Sequence, residues 1–159
     1  MKRTLMAVLA AGTLWSVCVA AEPAPVPPTR DEVTAFVEKA AAFAAANGKD
    51  KAIAEFNKRD GAFFKGELYI YAYDMKGICL AHPVLPDRVG QDCSKDKDTH
   101  GIAVQDECLK IFAKSDAGWI KCTWINPATK KLEPKALYVK KISPEWYLGS
   151  GTYGAEAEK

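Results

Sequence analysis

Beyond residue 29 the apolar positions fall into two periods. Val33, Phe36, Val37, Ala40, Phe43 and Ala44 recur every three or four residues, the spacing of one helix face. Thr29 with Glu32 three residues on forms a capping box ahead of them, and Asn47-Gly48 after them tolerates positive φ. The spacing predicts an amphipathic helix over 30–46, then a second short helix through Ile53 and Phe56 that ends near Asp60-Gly61. From Glu67 to Asp74 the run is aromatic and aliphatic. Asp74-Met75-Lys76-Gly77 makes a hairpin turn, and 78–82 is the returning strand. The stretch from Pro83 to Thr99 has no period at all, and its length predicts a lid or pocket wall. An imperfect helical stripe spans His100 to Lys114 and stops at Ser115–Gly118. Strands follow at 119–125, 135–142 and 146–153, joined by turns too short for parallel crossovers. The order predicts an α+β domain with a five-stranded antiparallel sheet.

The 159 residues, 48% hydrophobic and 26% charged, fit one domain with a substantial core. The chain opens with Lys2-Arg3, an apolar segment from Leu5 to Val19 and small residues through Ala21, the pattern of a secretory signal peptide over 1–21. The apolar run is shorter than the roughly 20 residues that span a bilayer, so cleavage is expected rather than anchoring. Residues 22–28 then form a proline-rich mature terminus, and the product is periplasmic or secreted. The net charge of +2 disappears when Lys2 and Arg3 are removed. A neutral body gives no electrostatic reason to expect nucleic acid as a partner.

Four cysteines remain outside the leader: Cys79, Cys93, Cys108 and Cys122. Their spacing fits neither a zinc site nor haem attachment. An even number in an oxidising compartment predicts two disulfides in one of three connectivities, with inert buried thiols as the alternative. Asp92, Asp96 and Asp98 resemble the start of a calcium loop, but its glycine and terminal glutamate are misplaced. Helix capping by Asp98 or Thr99 fits better. No nucleophile stands with a base, no carboxylate pair marks a cleft and no glycine-rich phosphate loop follows a strand. No catalytic residue, metal or cofactor is assigned, and the chain is not expected to be an enzyme.

An ordered series of short elements is more specific than any one of them. It runs through Gly77-Ile78-Cys79-Leu80-Ala81-His82-Pro83, Gly90-Gln91-Asp92, Gly118-Trp119, Trp124-Ile125-Asn126-Pro127, Pro134-Lys135, Tyr138-Val139 and Leu148 to Tyr153. In this order the chain from 29 to 153 resembles the single-Cache domain of bacterial sensors, with 154–159 left as a tail. The resemblance implies a PAS-like fold outside the cytoplasm. A long N-terminal helix would pack on one face of the sheet and a small-molecule pocket would open on the other. It also implies a small carboxylate such as pyruvate, lactate or acetate as ligand, and a membrane receptor or kinase as partner. Most such domains feed a transmembrane helix, whereas this chain stops at Lys159. The expectation is a free binding or co-sensor protein, or a scaffold that has lost sensing. The implied sheet order puts the second and third strands at opposite edges. It disfavours Cys79 with Cys122, leaving Cys108–Cys122 and Cys79–Cys93.

A carboxylate ligand needs a cation, neutral donors and walls that exclude water. Lys135 opens a strand whose alternate members Leu137 and Val139 look packed, so it is the leading cation. A solvated lysine in the run Lys130, Lys131, Lys135 is the alternative. His82 ends the second strand and would donate to a carboxylate and titrate near its ordinary value of ~6.5. Tyr69, Tyr71 and Tyr73 share one strand face. Trp124 and Tyr138 carry the family pattern. The expected ligand-binding set is Tyr71, His82, Trp124, Lys135 and Tyr138. A structural module whose pocket is filled by its own side chains is the rival reading, and a small periplasmic enzyme is the more distant one.

Overall fold

The computed structural model of the protein describes residues 26–159. The leader expected at 1–21 and the first part of the 22–28 segment lie outside the described residues. Helix α1 (Arg30–Asn47) begins at the expected capping box. The Glu32 backbone N–H donates to Thr29 Oγ1 at 3.2 Å and the Thr29 N–H donates to Glu32 Oε2 at 2.8 Å. It ends at Gly48, and α2 (Lys49–Phe56) follows directly and stops earlier than Asp60. No helix of the described residues is long and apolar enough to cross a membrane.

The strand expected over 67–74 is divided. Phe64–Lys65 (β1) and Leu68–Tyr69 (β2) form a small hairpin, and β3 (Tyr71–Asp74) joins the main sheet. Strand β4 (Cys79–Ala81) returns antiparallel to β3. The turn between them is built by Asp74, whose Oδ1 accepts from the N–H groups of Lys76 and Ile78, both at 2.8 Å. Gly77 takes φ 91° there, and a Cβ on it would lie 2.8 Å from Ser94, so the position excludes other residues on two counts. Helix α3 (Val104–Phe112) starts four residues later than its apolar stripe. Asp98 does not cap it. Its carboxylate closes the preceding turn by accepting from His100 and Ile102, and it ties that turn to Thr123 of the next strand, all at 2.8 Å.

Strands β5 (Ala117–Ile125), β6 (Leu132–Ser143) and β7 (Trp146–Tyr153) complete an antiparallel sheet of order β4-β3-β7-β6-β5, and a short helix α4 (Ala155–Glu158) closes the chain. This is the expected α+β architecture, with β4 and β5 at opposite edges. Period-2 alternation sorts each strand's side chains between two layers. Ile70, Ala72, Trp146 and Leu148 meet Phe36, Val37, Ala40 and Ala44 of α1, with Phe56 and Phe63 beside them. Tyr71, Cys122, Leu137 and Tyr147 point the other way, toward α3 and the 83–99 loop.

Candidate ligand-binding site

On the face away from α1 the structure has a half-open cavity of about 70 Å³. A single water needs roughly 10–15 Å³, so the space suits about five to seven non-hydrogen atoms. Four of the five expected residues line it. Tyr71 comes from β3, His82 from the end of β4, Trp124 from β5 and Lys135 from β6. Tyr138 does not. It sits an odd number of residues from Lys135 on the same strand and so faces α1, with its ring 5.2 Å from that of Trp119.

Lys135 is only 6% exposed and is not a solvated surface lysine. Its ammonium donates to Tyr69 Oη at 3.4 Å and lies over the rings of Tyr69 and Tyr153, at 5.5 and 4.6 Å. Burial works against the charge, but these two phenols outweigh it and hold the ammonium above its ordinary pKa. Among the described residues no carboxylate lies within ion-pairing distance of it. Tyr71 Oη is buried, still protonated because burial pushes its pKa far up, and without a hydrogen-bond partner. An unanswered buried hydroxyl costs about 1–3 kcal/mol. The other such group, Thr152 Oγ1, does not line the cavity. A buried cation lines the cavity, and the Tyr71 ring lines it too, with its hydroxyl packed against β7 at Gly149.

His82 differs from expectation in its titration. Burial, reinforced by Lys135 and Arg88, lowers its pKa to about 3, so the ring is neutral and does not respond to pH near 6.5. The Leu85 N–H donates to His82 Nδ1 at 3.1 Å, which leaves the proton on Nε2. The backbone under it is set by Asn57, whose Oδ1 accepts from the His82 N–H at 3.1 Å while its Nδ2 donates to Leu80 O.

The 83–99 segment is a pocket wall, as its length implied, and it contributes a second cation. Arg88, on a short 3-10 turn (Pro86–Arg88), is paired with Asp96 and lies 5.9 Å over the Trp124 ring. Its charge is thus compensated within the wall. Gln105, opening α3, is also buried. It accepts from Tyr147 Oη at 2.6 Å and donates to Met75 O at 3.2 Å, so both polar groups are satisfied. Behind the cavity the Gly149-Ser150-Gly151 segment of β7 leaves room for the site. A Cβ on Gly149 would lie 2.6 Å from Tyr71 Oη, and one on Gly151 would lie 3.1 Å from Lys135 Cε.

The cysteines depart from the expected bridges. All four are free, buried thiols. The thiols nevertheless lie near one another in the two expected pairs, Cys79 with Cys93 and Cys108 with Cys122. Cys93 Sγ lies 3.7 Å from Gln91 O, Cys108 packs beside Tyr147, and Cys122 is opposite Lys135 in the β5–β6 register. Burial pushes the thiols up, Cys79 and Cys122 to about 11 and Cys108 to about 12, so none is a reactive thiolate at neutral pH.

Comparison with known proteins matches residues 49–159 to the Cache domain family model dCache_2. Over 86 residues, 54% of this chain, the sequence is 30% identical to the methyl-accepting chemotaxis protein McpP of Pseudomonas putida, and the match spans 16% of that protein's length. Among solved structures, a methyl-accepting chemotaxis protein of Vibrio parahaemolyticus superposes with a TM-score of 0.69 at 23% identity, over 80% of this chain and 90% of that one. A Cache chemosensory domain solved for its carboxylic acid recognition gives 0.59 at 27% identity, over 76% of this chain and 84% of that one. The periplasmic sensor domain of a chemotaxis protein gives 0.57 at 26%, over 76% and 86%.

Proposed function

Since the chain belongs to the Cache domain family and is homologous to the ligand-binding domains of chemotaxis receptors, we propose that it is an extracytoplasmic sensory module for a small monocarboxylate. The observation that carries this reading is Lys135, a buried ammonium with no carboxylate partner that lines the cavity together with Tyr71, whose hydroxyl has no partner either. Arg88 is already matched by Asp96, so the cavity has one uncompensated positive charge. One carboxylate neutralises it, and a second would be left buried and unpaired. His82 Nε2–H adds a neutral donor, and Leu137, Val104 and Trp124 supply apolar wall. An acid the size of acetate, lactate or pyruvate matches the space. The cavity is what separates this reading from a pocket filled by its own side chains, and the chemistry is recognition rather than turnover. The bound state would be reported to a membrane receptor or kinase.

A thermal melt of the protein against a panel of organic acids and amino acids tests it. Short monocarboxylates should raise the midpoint in proportion to occupancy, and Lys135→Met should abolish the shift while leaving the fold intact. If no acid shifts the melt, or if Lys135→Met binds as tightly as the parent, the reading is wrong.

A further inference from the structure

The cavity is not alone on its face of the sheet. A larger groove of about 420 Å³ lies beside it, and Leu85, Arg88 and Trp124 line both. These three side chains are the whole of the shared wall, and none of the three is fully buried. Tyr69, on which the Lys135 ammonium rests, lines the groove as well. The cation therefore stands where the two spaces meet.

The groove differs from the cavity in chemistry. Val84, Ile125, Pro127 and Leu132 give it apolar walls. Ile125 and Leu132 are opposed in the β5–β6 register, and both are 56% exposed. An apolar cross-strand pair left in water at the rim of a groove gains by being covered. Lys97 and Lys130 stand at the outer edge, and the Asp98 carboxylate beside them is already taken up by backbone N–H groups.

We infer that the acid held at Lys135 is one with an apolar chain, which leaves the cavity between Leu85 and Trp124 and lies in the outer groove against Ile125 and Leu132. This rests on the proposed carboxylate site and names the ligands it favours: monocarboxylates of about six to eight carbons, since only the first few fit in the inner space. Each methylene that the groove removes from water strengthens binding by up to about fourfold.

Titration calorimetry with acetate, butanoate, hexanoate and octanoate reads this directly. Octanoate should bind at least about tenfold tighter than butanoate. The double variant Ile125→Ser, Leu132→Ser should lose most of that gain with acetate and butanoate unchanged, because neither residue lines the inner cavity. Lys135→Met should abolish binding across the series. If short acids bind through Lys135 but affinity falls from butanoate to octanoate, the chain does not enter the groove and the inference fails while the carboxylate site stands. If octanoate binds equally well to Lys135→Met, the groove is a separate site and a single spanning ligand is overturned. If octanedioate binds tighter than octanoate, Lys97 and Lys130 are answering a second charge and an apolar tail is the wrong chemistry. If no acid binds at all, the carboxylate site itself is refuted.

Discussion

The two faces of the sheet are made by alternate residues of the same strands, yet they use their aromatic rings in opposite ways. Against α1 and α2, Phe36, Phe43, Phe56 and Phe63 cluster with ring centroids 5.0 to 6.3 Å apart, and the rings bring no polar atom into the core. On the other face Tyr69, Tyr71, Tyr73 and Tyr147 gather around His82 and carry hydroxyl tips, one of which is unanswered. The first face gains stability from dispersion and apolar burial. The second buries comparable rings but leaves a cation without a carboxylate and a hydroxyl without a partner, which costs stability and keeps binding energy in reserve. A sensory domain can be divided this way because period-2 alternation lets one strand serve both layers.

The sharpest way to break that contrast is one truncation on each side. Phe63→Ala removes a ring at the centre of the helix-side cluster and should cost about 3–5 kcal/mol in denaturant unfolding. Lys135→Met replaces a buried charge by an apolar chain of similar length, so stability should hold or rise while the acid-induced melt shift disappears. Equal destabilisation by both would mean that the second face is ordinary core.

The next effect is pH dependence. The pKa of His82 in the folded protein, about 3, lies below the unfolded value near 6.5. Between these values the unfolded chain binds a proton that the native protein refuses, so stability is fully present above about 6.5 and is lost as pH falls toward 3. His82→Asn should flatten the fall in melting temperature between pH 6.5 and 4 relative to the parent, the carboxylates being common to both. Parallel curves would place His82 in a solvated setting. A smaller loss is expected from Gly149→Ala. The added methyl meets Tyr71 Oη and Tyr138 O, and overpacking of this kind costs about 1–3 kcal/mol. It should also displace the phenol and weaken acid binding. Unchanged stability and affinity would mean that the close approach of Tyr71 to β7 has no consequence.

The strands and α1 are readable because hydrophobic period and capping chemistry are local. Lys135, Tyr71 and His82 follow from the same logic once one face of the sheet is given a pocket. Tyr138 fails by that logic: three residues from Lys135 on one strand, it must face the opposite layer. Arg88 and Gln105 were out of reach for a different reason. Arg88 sits in the aperiodic wall, where only the tertiary path brings it over Trp124, and Gln105 lies on a helix whose stripe begins four residues before the helix itself. The His82 titration was likewise hidden. Its shift arises from burial beside Lys135 and Arg88, which come from separate parts of the chain.

The smallest effect is the one that separates stability from recognition most cleanly. Tyr71→Phe deletes a buried hydroxyl that has no partner and leaves the ring, with its stacking on His82 at 6.3 Å and its edge-on contact with Tyr73 at 5.9 Å. Removing an unsatisfied polar group relieves its desolvation cost, so the variant should be more stable than the parent by about 1 kcal/mol. If the hydroxyl is kept for the ligand, the same change should weaken short-acid binding by about tenfold, the loss of one charge-assisted hydrogen bond. Stability and affinity must then move in opposite directions for one oxygen atom. No substitution on the helix side is expected to do this, because among the described residues the other fully buried side-chain polar atom without a partner, Thr152 Oγ1, does not line the cavity. A Tyr71→Phe protein that loses both stability and affinity would show the hydroxyl to be part of the scaffold, and the division between the two faces would fall with it.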